Sequence, residues 1–161
     1  MCEYCGCQSI KAIEQLTLEH DRALDHARNL EAAARAQDSR VARQVGERLG
    51  ALLAPHIAVE EQALFPLLAD DFGEQIRNLQ DEHELVGQAL AELTGSDRPT
   101  LGWDIRLLHA MHVLRSHILK EQNGVFPAAL TILEPQDWDR LDQVREDFAA
   151  SAVTTDQARH R

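Results

Sequence analysis

Apolar residues recur every three or four positions along most of the chain, the period of helices with one buried face. The first stripe runs Ile10, Ile13, Leu16, position 20, Ala23 or Leu24, Ala27 and Leu30; it predicts a helix over about 10–37 with Ser9 as its N-cap. Asp38 and Ser39 offer a stop and a fresh cap for a second helix over about 40–68, which Pro55 should kink. Asp70, Asp71 and Gly73 mark a turn, and a third helix follows over about 74–94. Gly95-Ser96-Asp97-Arg98-Pro99-Thr100 is the clearest loop, with Thr100 capping a fourth helix that reaches about 130. A shorter fifth helix is predicted from Pro135, a residue suited to a first turn, to about 150. Long helices on short connections imply antiparallel neighbours. The expected fold is all-α, an up-down-up-down four-helix bundle over residues 10–150 with a short additional C-terminal helix. A cysteine-containing segment (1–9) precedes it and a flexible tail (151–161) follows.

Polar residues interrupt these stripes at matching places. Position 20 is His; the second stripe carries His56 and Glu60, the third His83, and the fourth His117 and Glu121. The order His, then His-x-x-x-Glu, then Phe-Pro occurs twice: His20, His56, Glu60, Phe65, Pro66 and His83, His117, Glu121, Phe126, Pro127. The copies are offset by 63 residues at the first histidine and by 61 at every later member, which reads as an internal duplication. Residues at i and i+4 share a helix face, so each His-x-x-x-Glu aims both side chains one way. One such pair on a solvated face would be worth only about 0.2–0.5 kcal/mol and would mean little. Six polar groups on core positions are different, since burying each without a partner costs a few kcal/mol against a total stability of roughly 5–15. Metal ions remove that cost by taking imidazole and carboxylate as ligands, and the repeat predicts a two-metal site. His26, His112 and His160 fall off the stripes and read as surface residues, whereas His109 lies near a stripe edge, a candidate to support the ligands from behind.

Composition narrows the class. The chain of 161 residues is 44% hydrophobic with only five prolines and eight glycines, as a single soluble helical domain requires. Its net charge of −11 would repel nucleic acid and anionic membrane surfaces, so neither is an expected partner. No apolar run approaches the ~20 residues of a membrane span and the N-terminus carries no apolar signal segment, so a cytoplasmic location is expected. Cys2, Cys5 and Cys7 are the only cysteines. Three thiols crowded at one end do not make a disulfide framework; they read as idle thiols, a redox-exchanging set, or part of a second metal site needing an outside ligand.

With these residues in hand, the sequence resembles hemerythrin-like (HHE cation-binding) domain proteins of the four-His, two-Glu type. The resemblance covers about residues 10–130 and rests on Glu19-His20-Asp21, His56 to Glu61 with Leu64-Phe65-Pro66, Asp81-Glu82-His83-Glu84, and His117 to Glu121 with Phe126-Pro127. The ferritin-like di-iron class uses Glu-x-x-His instead, and no histidine here follows a glutamate at that spacing. The resemblance implies two non-haem iron ions bridged by Glu60 and Glu121, with His20, His56, His83 and His117 as terminal ligands; manganese or zinc could substitute. Oxygen-carrying members have a histidine and an aspartate where this chain has Gly87 and Gln122. Reversible oxygen carriage is therefore not implied, and Gly87 is expected to leave space beside one metal.

The function expected on this basis is binding or reduction of a small ligand (O2, NO or peroxide) in redox or nitrosative stress response or in sensing, with peroxide or NO reductase activity compatible and the electron donor unidentified. Two alternatives stand beside it. One is iron handling or iron–sulfur cluster repair, in which the cysteines would take part; the other is a redox-silent structural metal bundle acting as an interaction module.

Overall fold

The computed structural model describes the backbone of residues 7–95 and 99–159 and the side chains of residues 11–95 and 99–152. Among these residues the regular elements are all helical: α1 (Cys7–Arg35), α2 (Ser39–Val59), a π-helical turn (Glu60–Leu64), α3 (Phe65–Thr94), α4 (Trp103–Lys120), a second π-helical turn (Glu121–Val125), α5 (Phe126–Ile132) and α6 (Pro135–Arg159). α3 is broken at Phe72, whose φ of −130° and ψ of 31° leave the helical region. The break is a reversal. A straight helix would set Glu60 and His83 about 34 Å apart at 1.5 Å per residue, yet Glu60 Oε2 lies 3.2 Å from His83 Nε2. The predicted turn at 70–73 is thus present, compressed to one residue. α1 packs on α2 and α4, and α3 packs on both as well, closing the expected four-helix bundle.

Several local expectations need correction. Ser9 lies inside α1, which begins at Cys7, so the segment before the bundle is shorter than predicted. Asp38 does cap α2, accepting from Val41 N at 3.0 Å. Thr100 does not cap the fourth helix. Gly102 does, at φ 78°, a left-handed conformation that glycine adopts without steric cost. α2 runs through Pro55, and the irregularity comes one turn later at Glu60. α6 passes residue 150 and continues to Arg159, so residues 151–159 are helical where a flexible tail was expected. No glycine or proline follows Pro135 to stop it, and Ser151 Oγ donates back to the Asp147 carbonyl at 2.9 Å. Cys2 and Cys5 lie outside the described residues, as does the side chain of Cys7.

Both π-turns have a cause in sequence. Pro66 and Pro127 lack the N–H that would close the next α-helical bond, and each ring would crowd the carbonyl four residues back. The chain widens instead: Phe65 N–H reaches Glu60 O and Phe126 N–H reaches Glu121 O, the i−5 pattern of a π-turn. The Gln62 carbonyl that Pro66 cannot serve accepts from Arg140 of α6 at 3.3 Å. The wider turn begins at Glu60 and Glu121, the glutamates singled out in the sequence.

α6 lies over α1, α2 and the first π-turn, burying Trp138 and Leu141. The matching groove in the second half, between the start of α3 and the second π-turn, carries no helix among the described residues and remains a cavity of about 430 Å³ lined by Phe72, Ile76, Leu79 and Val125. The apolar interior forms two clusters. One holds Ala23, Leu30, Leu49, Leu90 and Met111; the other holds Leu16, Leu64, Phe65, Leu79, Phe126 and Trp138. His20, His56 and His83 each fall between the two, and His117 lies at the end of the first beside Ile118, so a polar layer crosses the middle of the core.

Candidate metal centre

That layer contains six side chains, all buried: His20, His56, Glu60, His83, His117 and Glu121. His56 Nε2 lies 3.1 Å from Glu60 Oε1, and His20 Nε2 lies 3.0 Å from Glu121 Oε2 and 3.1 Å from His56 Nε2. Opposite them, His83 Nε2 lies 3.2 Å from Glu60 Oε2, His117 Nε2 lies 3.1 Å from Glu121 Oε1, and the two nitrogens are 3.0 Å apart. Each glutamate therefore gives one oxygen to each side. Two four-atom donor groups result, His20–His56–Glu60–Glu121 and Glu60–His83–His117–Glu121, each compact enough to hold one metal ion.

Three of the four rings are oriented by a carboxylate behind Nδ1. His56 Nδ1 donates to Glu19 at 2.9 Å, His83 Nδ1 to Glu61 at 2.8 Å and His117 Nδ1 to Glu82 at 3.1 Å. A neutral ring that spends its proton outward presents a lone pair at Nε2. Those lone pairs face one another and the carboxylates. All four oxygens of Glu60 and Glu121 are buried, and with the rings neutral none has a hydrogen-bond donor among the described residues. Contacts near 3 Å between acceptors repel unless a cation or a proton lies between them. The donor set fits a pair of cations.

With protons alone, the electrostatics show the same demand. Burial opposes charge on His56, but the carboxylates of Glu60 and Glu19 override it and push its pKa up to about 10. His117 is raised in the same sense, burial being outweighed by Glu121. Glu60 is held well below the usual carboxylate range despite its burial, chiefly by the charge of His56. Glu19 is also lowered against its burial, by hydrogen bonds from His56 and Arg145.

The halves are related by the sequence offset in detail. Glu19 and Glu82, each just before a first histidine, support His56 and His117. Phe126 stacks on His20 with ring centroids 5.4 Å apart, and Phe65 stacks on His83 at 5.7 Å. Cations finish each chain: Arg145 of α6 pairs with Glu19, and Lys120 with Glu82. These outer residues were not assigned from sequence, although Glu-His occurring twice at the repeat offset was the signal for them.

Other expectations fail or fall elsewhere. Gly87 is exposed with open space around it, and it is not among the residues that bound the void beside the histidines. His109 is exposed and does not support the centre; His112 is exposed and His26 partly so, as predicted. His160 lies outside the described residues. The space that does adjoin the histidines is a void of about 10 Å³, bounded by the four rings and by Leu53, Ile57, Val86, Leu114 and Ile118. That is roughly the room one water molecule needs.

Compared with known families, the chain matches the model of the hemerythrin HHE cation-binding domain over residues 11–129. No curated protein and no solved structure in the comparisons matches it.

Proposed function

The chain belongs to the hemerythrin HHE cation-binding domain family, and from that premise we propose that it is a non-haem di-iron protein that binds or reduces a small ligand such as O2, NO or peroxide. The observation that supports this most is the set of four donorless carboxylate oxygens enclosed by four imidazole nitrogens. His20 and His56 would hold one ion, His83 and His117 the other, and Glu60 and Glu121 would bridge them. Iron in such a nitrogen and oxygen set supplies a ferrous/ferric couple and coordination positions that the protein leaves free.

The remaining chemistry belongs to the chain. Glu19, Glu61 and Glu82 accept the Nδ1 protons and so keep three Nε2 lone pairs available and oriented. Leu53, Val86, Leu114 and Ile118 keep bulk water off the histidines and limit the adjoining void to about the size of one water molecule, which excludes bulky ligands. Phe65 and Phe126 hold His83 and His20 flat from the opposite side. No helix among the described residues is long and apolar enough to cross a membrane.

The test is a ligand challenge on iron-loaded protein. Anaerobically reduced protein exposed in turn to O2, NO and hydrogen peroxide should change its visible absorption with at least one of them, within the mixing time. A spectrum unmoved by all three would overturn the small-ligand reading and favour a structural metal.

A further inference from the structure

The internal repeat is broken at one place that touches a ligand. Three of the four histidines have a carboxylate behind Nδ1; His20 Nδ1 is buried and has no partner among the described residues. The repeat shows why. His83 is supported by Glu61, the residue after the bridging Glu60. The corresponding residue after Glu121 is Gln122, which makes no hydrogen bond to His20. An amide in place of the carboxylate removes both the strong acceptor and a negative charge from that side.

The charges around the two donor groups differ accordingly. Behind His20 and His56 stands Glu19, neutralised by Arg145. Behind His83 and His117 stand Glu61 and Glu82; Lys120 pairs with Glu82, and Glu61 has no cationic partner among the described residues. The second group thus has one more uncompensated negative charge and one more oriented imidazole. Losing a single hydrogen-bond partner behind a metal-bound histidine commonly costs ~10–100-fold in affinity.

We infer that Gln122 makes the two metal positions unequal, so that the His83–His117 position binds a divalent cation first and more tightly than the His20–His56 position. The inference rests on the metal-centre reading above. It gives the protein a state with one metal held and one exchangeable, although the six ligands themselves repeat with near symmetry. Gln122 acts in this scheme by what it fails to supply, a carboxylate for His20 Nδ1, and does not touch the metal.

Stepwise affinities alone would not test this, because the shared glutamates couple the steps even for equal positions. Location does. Metal-free full-length protein is given one equivalent of Co2+ and the histidine ring resonances are followed by NMR. The contact shift of a directly ligated imidazole should appear on His83 and His117, in line with an occupancy ~10-fold above that of the His20–His56 position. Gln122→Glu should level the distribution by strengthening the weak side, and Glu61→Gln should level it by weakening the strong side. These variants change net charge in opposite directions, so a bulk charge effect cannot produce both results. Equal contact shifts on all four histidines in the parent protein, or a parent pattern retained in Gln122→Glu, would overturn the inference while leaving the metal-centre reading intact. No cobalt bound at all would sink it together with the metal-centre reading.

Discussion

Raising the pH should strengthen metal binding well beyond the range in which ordinary histidines titrate. In the metal-free protein His56 holds its proton up to about pH 10, because Glu60 and Glu19 outweigh the cost of burying the charge. A metal entering at pH 7 must displace that proton. Three pH units separate the two values, so the apparent affinity at pH 7 should lie about a thousandfold, or ~4 kcal/mol, below its high-pH limit. Between pH 7 and 9 the affinity should rise by at least ~10-fold per unit, more if His117, which is raised in the same direction, also still carries a proton. The assay is a competition titration with Co2+ or Zn2+ against a chelator of known protonation constants, repeated at half-unit steps. Proton release read with an indicator dye in weak buffer gives an independent count, about one proton or more per chain at pH 8. An imidazole with a pKa near 6.5 predicts something else: affinity flat above about pH 7.5 and no release at pH 8. That result would refute the reasoning, since it would mean the carboxylates are not anionic neighbours of His56.

The same linkage has the opposite sign for stability. A raised pKa in the folded state stabilises fully below the unfolded value of 6.5, and the contribution is lost as pH climbs towards about 10. The thermal midpoint of metal-free protein should therefore fall across that window; a midpoint that holds or rises would count against the buried His56–Glu60 pair. Arg145→Ala leaves Glu19 partly buried without its cation, which should cost about 1–3 kcal/mol in chemical denaturation and weaken metal binding, because Glu19 orients His56. Unchanged values for both would show that α6 is not coupled to the centre. Leu114→Ala, at a buried residue bordering the void, should cost about 2–5 kcal/mol and admit a larger anion such as azide. Azide binding no tighter than in the parent would show that Leu114 does not limit ligand size.

The six central residues were legible in sequence because the duplication placed them twice on apolar stripes, and 3.6-residue periodicity fixes which face a residue shares. The same periodicity shows why Gly87 was misjudged. The third rod buries His83, Val86, Leu90 and Leu93, in steps of three and four, and the residue after Val86 turns outward. The resemblance set Gly87 where oxygen carriers have a histidine, and space beside a metal was expected from that; in this helix the position faces solvent. Glu19 and Glu82 were marked by the repeated Glu-His pair, but their roles and that of Glu61 were hidden because each pairs with a histidine 22 to 37 residues away. The π-turns were hidden for another reason. Phe-Pro was visible twice, but proline inside a helix more often means a kink, as was expected at Pro55, than a widened turn closed on Glu60 or Glu121. α6 extended past its predicted end because polar residues at a helix terminus look like a tail unless a breaker marks the stop.

The central claim is tested most directly by metal content. Protein produced in iron-supplied medium and purified without added metal should carry close to two iron ions per chain, with the near-ultraviolet and visible absorption of a bridged ferric pair. Glu60→Ala/Glu121→Ala, which removes all four buried carboxylate oxygens, should lose both the iron and the absorption while remaining helical. A folded parent protein that holds no metal and takes up neither iron nor cobalt on reconstitution would contradict the account.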